Sequence, residues 1–366
     1  KDVKATIKGS LTKDYDATTD VIVKRANNQL EKATANDLVT LTGLVAGDGA
    51  TNVTTARYGG VTPIPDDKNA GTNKDVTYNV KIDSSHAGNY NLKYNGAAIT
   101  APITQAGNTI TKRSVEIKFN DPPSRMYNTT AKNTYIKPFV SADDAAVLKT
   151  DANTLVSGTD LVGLTGIDSN YVKNDKTTPD PNVGTNKYVR FENIRTAMGT
   201  ALGTDAANYE FNDTGYARGD ITRRQISASK FHFKTNAFAE KEYDGGYTVK
   251  WHGDPTAIKN YFTSSSVEID GVEAPINLAD IVVDTTASKY RVKDVGAYTT
   301  LPAPDGRQYN AEVDYSISFS SQNFDITDLV NDKIPFTDHG IIKPKDVTVT
   351  LKTPFTKVYD ATTDVI

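Results

Sequence analysis

Residues 1–22, KDVKATIKGSLTKDYDATTDVI, return as residues 345–366, KDVTVTLKTPFTKVYDATTDVI, with 15 of 22 positions identical. Such an echo restricts the chain to folding as units in tandem, and a shorter period inside it tightens the restriction. The pair Tyr15-Asp16 has counterparts at Tyr127-Asn128, Tyr243-Asp244 and Tyr359-Asp360, at intervals of 112, 116 and 116. The expected organisation is three repeats, 1–112, 113–228 and 229–344, followed at 345–366 by the opening strand and Tyr-Asp turn of a fourth. Each interval is long enough to enclose its own core. Lys1 falls inside a repeat with no charged head and apolar signal segment ahead of it, so the expectation is an internal segment of a longer array. The first and fourth openings are closer to each other than to the middle two, which implies a parent chain repeating in blocks of three.

Each repeat opens on apolar residues at a period of two: Val3, Ala5, Ile7; Val115, Ile117, Phe119; Phe231, Phe233; Val347, Val349, Leu351. That period describes a strand with one face buried. Two further landmarks follow in fixed order. A small apolar residue precedes glycine at Gly71, Gly184 and Gly296, and an asparagine precedes an aromatic ring at Asn89-Tyr90, Asn208-Tyr209 and Asn323-Phe324. The separation of these two landmarks grows from 18 to 24 to 27 residues, which places the insertions in loops between strands. Clusters of Thr, Asn, Asp and Gly supply turn chemistry between the strands. Many short strands in each interval predict an all-β fold, a tandem array of elongated, Ig-like β-sandwich domains. Short helical turns are expected within 27–37, 141–148 and 254–262. The stretches 98–112 and 215–229 read as linkers, and an array of this kind makes its contacts chiefly between neighbours.

Composition excludes several function classes. With 41 basic and 45 acidic residues intermixed, the chain has no basic stripe to hold phosphates, so nucleic acid is not an expected partner. No apolar stretch approaches the roughly 20 residues that cross a bilayer as a helix, so no membrane insertion is expected in this segment. Cysteine is absent, which removes thiol chemistry and suits export through an oxidising compartment without disulfides. His86, His232, His252 and His339 are scattered without ligand spacing, and neither a phosphate-cradling glycine loop nor a nucleophile-elbow serine is present. The expectation is therefore no enzyme, no cofactor and no metal.

The internal copies test individual motifs. Asp14, Asp16 and Asp20 look like a calcium loop, yet position 14 becomes Met126, Glu242 and Val358, and position 20 becomes Lys132, Thr248 and Asp364. A ligand set does not survive those changes, whereas a buried tyrosine followed by an Asx turn does. Phe324 in place of Tyr90 and Tyr209 indicates a ring wanted for packing. A Lys-to-Asn or Lys-to-Asp amide staple at the lysine preceding the landmark (Lys13, Lys241, Lys357) is excluded as a feature of every repeat by Arg125. Arg218-Gly219-Asp220 is an integrin-type tripeptide in a stretch that reads as an inter-repeat linker, a position from which a loop presents such a motif.

The opening Tyr15-Asp16-Ala17-Thr18-Thr19, the stretch from Leu41 to Asp48, the Lys68-Asn69-Ala70-Gly71-Thr72 segment and the Ala87-Gly88-Asn89-Tyr90 close stand in an order that resembles the YDG domain. That domain recurs in large secreted adhesins and filamentous-haemagglutinin-like exoproteins, chiefly of Gram-negative bacteria. The second and third repeats keep the opening, as Tyr127-Asn128-Thr129-Thr130 and Tyr243-Asp244-Gly245-Gly246, and match elsewhere more loosely. The resemblance implies a β-rich stalk or display unit at the bacterial cell surface or secreted, serving cell adhesion or biofilm formation. Its partners are then neighbouring repeats of the same chain. An alternative is a ligand-binding module that recognises host glycan or matrix protein through the divergent loops 141–184 or 252–296. The family carries no catalytic residues to transfer.

Overall fold

Alternation in the first opening becomes the strand Asp2–Ile7, with Val3 and Ala5 buried and Asp2, Lys4 and Thr6 facing out. This computed structural model describes the chain apart from residues 27–28, 49, 60–66, 149–155, 158–159, 162–163, 234–238, 250–264, 298–307, 352–356, 360 and 364–366. It is mostly β, with 49% strand and 11% helix in several small mixed sheets and curled half-barrels. The contacts group into two compact units, Lys1–Ser124 with Ala131–Asp220, and Arg125–Thr130 with Ile221–Ile366.

Within the first unit, Asp2–Ile7 pairs antiparallel with Val39–Thr42 and parallel with Asn91–Tyr94, the strand after the Asn-Tyr landmark. A second sheet runs in the order Thr12–Asp14, Ile103–Thr111, Gly71–Asp83, Ala50–Tyr58; its first pair is parallel and its other pairs antiparallel. The same plan returns in the second repeat. Arg113–Val115 lies parallel to Tyr209–Phe211, and Gly184–Glu192 lies antiparallel to Asp168–Val172.

The second unit repeats both signatures. Arg224–Ser227 is parallel to Phe324–Thr327, and a sheet runs Ala239–Glu242, Ile334–Lys343, Ala311–Phe319, Ile281–Tyr290, again with only its first pair parallel. Residues Arg125 and Met126 belong with this unit, paired in parallel with Ile221 and Thr222. Its core includes a cluster with Val267, Ile281, Tyr290, Val313, Ile317 and Ile342.

Parallel pairs at equivalent places make the sheets mixed, where an immunoglobulin-type sandwich is antiparallel throughout. The two stretches expected to be linkers hold strands instead. Ile103–Thr111 and Gly215–Thr222 are each the last strand of a repeat, and Arg224–Ser227 already opens the third repeat inside the range assigned to the second. The reason is legible in the burial of Gly215–Thr222, which alternates strictly with Gly215, Ala217, Gly219 and Ile221 inward. Side chains that small carry no apolar alternation. They are small because rings lie against them: a Cβ on Gly215 would sit 2.7 Å from the Phe119 ring, and one on Gly219 2.8 Å from Pro122.

Helix is sparse and short. Ala35–Leu38 starts at a capping box between Thr34 and Asp37, and Ala142–Val147 starts where Ser141 accepts a bond from the Asp144 amide at 3.3 Å. The expected turn at 254–262 lies outside the described residues. Ile194–Leu202 was not expected, and it buries Ile194, Ala197, Met198 and Leu202 at helical spacing. Part of the longer separation between Gly184 and Asn208 is therefore a packed helix rather than loop.

The fully buried side chains are led by tyrosines, among them Tyr15, Tyr58, Tyr78, Tyr171 and Tyr290. Burial pushes the Tyr58 hydroxyl up to about 12, helped by the Asp16 charge, and raises Tyr78, Tyr290 and Tyr315 well above the ordinary phenol value. These groups favour the fold while neutral. Their contribution is intact below the unfolded pKa of about 10 and is lost as pH rises through the folded values. The urea midpoint is expected to hold up to about pH 10 and to fall steeply towards pH 12, in step with tyrosinate absorbance. A midpoint indifferent to that window would contradict the burial.

Candidate functional site at the repeat joint

The Tyr-Asp landmark is a turn built the same way in each repeat. The amide of Tyr15 donates to the Thr111 carbonyl at 2.9 Å, that of Tyr127 to Thr222 at 2.9 Å and that of Tyr243 to Lys343 at 2.8 Å, so each tyrosine ends the parallel ladder with the last strand. Asp16, Asn128 and Asp244 then accept from the amide two residues on, at 2.9, 3.3 and 3.0 Å, the Asx geometry. The residue between is left-handed in all four copies: Ala17 (φ 61°), Thr129 (φ 69°), Gly245 (φ 74°) and Ala361 (φ 61°). Asp360 lies outside the described residues.

The residue two before each tyrosine holds this turn closed. Lys13 Nζ donates to Asp16 Oδ1 and to the Thr18 carbonyl, both at 2.7 Å, with a side chain almost wholly out of water. Lys241 repeats the arrangement with Asp244 at 2.8 Å and the Gly246 carbonyl, and Lys357 reaches the Thr362 carbonyl at 2.7 Å. In the second repeat both partners change together: Arg125 donates to Asn128 Oδ1 and to the Thr130 carbonyl, each at 2.6 Å. Arginine carries enough donors to do this with a neutral acceptor. Beneath the two lysines lie tyrosine rings, Tyr58 at 5.3 Å from Lys13 Nζ and Tyr290 at 5.2 Å from Lys241 Nζ.

Those rings are a landmark that sequence reasoning missed. Tyr58, Tyr171 and Tyr290 are all fully buried, and their amides donate to Thr19, Ala131 and Tyr247 respectively. They stand at or next to the end of the edge strand of each repeat, and the available signal was their spacing of 43, 44 and 47 from the turn tyrosine. A second missed signal is the tetrapeptide Gly-Thr-Asn-Lys at Gly71 and at Gly184. In both, the lysine arches over the glycine to an aspartate, Lys74 to Asp67 at 2.6 Å and Lys187 to Asp180, and the asparagine is left-handed. Gly296 is required for a different reason, since a Cβ there would meet the Asn310 carbonyl at 2.7 Å.

The three sequence landmarks converge where the first repeat meets the second. In the first unit the Tyr15 ring stands edge-on to Tyr209, centroids 5.2 Å apart and planes at 82°. Beside it the buried Asn208 accepts from the Ala70 amide at 2.8 Å and donates to Asn69 Oδ1 at 3.2 Å. The turn, the residue before the landmark glycine and the next repeat's Asn-aromatic pair thus form one contact. Burial and the Asp205 charge raise the Tyr15 hydroxyl above its ordinary value, against hydrogen bonding with Tyr209 and Asn208. In the second unit Tyr127 stands edge-on to Phe324 at 5.2 Å and 90°, packed against that unit's core. Edge-to-face geometry of this kind adds to simple area burial.

The remaining candidates are placed as follows. Tyr90 uses its hydroxyl, donating to Asp48 Oδ2 at 2.5 Å and accepting from the Val45 amide at 3.2 Å, so in the first repeat the ring does more than pack. Asp14, Asp16 and Asp20 each face a different partner, Thr111, Lys13 and Lys32, and among the described residues no group of three or more His, Asp or Glu converges as a metal site. Arg218-Gly219-Asp220 lies in the strand Gly215–Thr222 and not in a loop. Gly219 is buried; the Arg218 guanidinium lies 3.4 Å over the Tyr188 ring; Asp220 accepts from the Asn186 amide at 2.7 Å. Both charged side chains of the tripeptide are engaged within the fold. Beside the first joint is a cavity of about 690 Å³ lined by Lys13, Asp16, Lys24, Arg113 and Asp144, two of these cations being paired as Lys13–Asp16 at 2.7 Å and Arg113–Asp144 at 3.2 Å.

No family model and no curated protein matches the chain.

Two pairs of substitutions follow from this geometry. Tyr15 is 2% exposed and Tyr359 90%, so Tyr15→Ala is expected to cost about 3 kcal/mol in urea denaturation and Tyr359→Ala less than about 0.5 kcal/mol. Equal effects would separate the landmark from the joint. Removing the acceptor of the buried Lys241 by Asp244→Ala is expected to cost about 3 kcal/mol, while Asp244→Asn, which keeps an oxygen in place as Asn128 does, costs about 1 kcal/mol.

Proposed function

We propose that the chain is a non-enzymatic structural segment of a secreted or cell-surface bacterial adhesin, a stalk that displays a binding region and so serves adhesion or biofilm formation. One observation carries this reading. The same tyrosine-to-aromatic edge contact recurs, Tyr15 on Tyr209 in the first unit and Tyr127 on Phe324 in the second, and in the first its polar neighbours are supplied by the landmark residues. Residues retained through all copies are then those that set one repeat upon the next, which is what a load-carrying array needs and what a catalytic or ligand site does not. The resemblance to the YDG domain points the same way. In this reading each repeat is an elongated sandwich of Ig-like proportions whose two sheets are closed by parallel first and last strands, and its principal partners are its neighbours in an extracellular chain.

A second reading draws on the cavity beside the first joint, where Arg113 and Asp144 bring the 141–184 region to a groove that also holds Lys24, Ile22 and Leu30. There the segment is a module for host glycan or matrix protein. Glycan and matrix-protein arrays probed with the whole chain separate the two. The stalk reading expects no retained ligand. Retention of one glycan or protein, abolished by Arg113→Ala, would replace it with the module.

A further inference from the structure

Two joints are closed and half of a third stands open. The turn that carries Tyr243 is complete: its amide is bonded to Lys343, and Lys241 holds Asp244 and Gly246. The ring is nonetheless 36% exposed, against 2% for Tyr15. Val295, which stands before its glycine as Ala70 does, is also exposed. The opposite half of such a joint is open in the first repeat. Asn89 is exposed, whereas its counterpart Asn208 is 3% exposed and bonded to Ala70, and the Tyr90 ring is held in place by Asp48 and Val45.

We propose that the Tyr243 face is a docking surface for the Asn-aromatic turn of another repeat of this kind, its occupant being the Asn89-Tyr90 turn of a second copy of this chain. An edge-on ring fills the corresponding place in both closed joints, and at the first an amide pair stands beside it, so the chemistry of the occupant follows by continuity with contacts already made. The register is fixed as well. Residues 345–366 match residues 1–22 at 15 of 22 positions, so a first repeat placed after residue 344 continues the chain without a shift. The contact is heterologous, since a tyrosine turn and an Asn-aromatic turn are different surfaces, and it therefore propagates head to tail and does not close on itself. It is small, and a covalent tether that supplies an effective concentration in the millimolar range is what allows it to hold. This deepens the stalk reading and rests on it for purpose only; the array experiment and the one below fail independently.

The test is a tandem protein, residues 1–344 followed directly by the whole chain, compared with the single chain by oxidative footprinting of tyrosine. Tyr15 and Tyr359 serve as the sheltered and open standards, and sheltering of Tyr15 in the second copy reports that its first repeat has folded. Tyr243 of the first copy is expected to react several-fold more slowly in the tandem than in the single chain. Asn89→Ala with Tyr90→Ala in the second copy is expected to restore the faster rate. Equal rates for Tyr243 in tandem and single chain, or protection that survives the double substitution, would overturn the proposal.

Discussion

A cation beside the tyrosine turn, held out of water in the first and third copies, fixes the geometry on which the rest of the repeat depends. Lys13 and Lys241 bring a desolvated ammonium to one carboxylate and one carbonyl five residues on, over the face of a buried tyrosine. Stripping water from an ammonium is expensive, and the cost is offset only if every donor finds an oxygen at once. The turn therefore closes in one way. Closing it orients the tyrosine ring outward to the next repeat while its amide caps the ladder with the last strand. The exchange of Lys-Asp for Arg-Asn in the second repeat keeps the donors, the acceptor and the carbonyl while changing the charge count, which shows that hydrogen-bond geometry is what the turn requires.

Much of this was legible in the chain, and its limits have physical causes. The first strand opening and the Asx turn follow from a period of two and from side chains that mimic turn bonds, whereas the expected opening strand of the fourth copy is not formed, with Val347, Val349 and Leu351 exposed outside any strand. The last strands were hard to see because several of their inward residues, Asn108, Gly215, Ala217 and Gly219, are small or polar among the isoleucines, two of the glycines lying against rings from elsewhere, and such side chains weaken the hydropathy signal. Tyr58, Tyr171 and Tyr290 were hidden for the opposite reason, since 19 tyrosines make any single spacing unremarkable until a lysine is seen above the ring. The joint itself was invisible because its parts come from different repeats. Each landmark reads locally as packing, and only the fold sets Asn208 against Ala70.

The joint also accounts for which features drift. Separation between the glycine and the asparagine grows through the three repeats, and in the second it accommodates the helix Ile194–Leu202, yet Asn208 and Tyr209 still reach Ala70 and Tyr15. Insertions are accepted between landmarks because the contact constrains only where those ends arrive. The path by which they arrive is free to lengthen.

The parallel pairing of Ala239–Glu242 with Ile334–Lys343, and of Thr12–Asp14 with Ile103–Thr111, bears on tension. Near its start and near its end each repeat contributes one strand to the same ladder, running in the same direction. A pull applied to the two chain ends draws these strands past each other lengthwise, so the ladder hydrogen bonds are strained together. An antiparallel pair pulled from one end would surrender its bonds singly, like a zipper. Shear resistance is therefore a property of the strand directions themselves, present in a chain without a single disulfide to hold it.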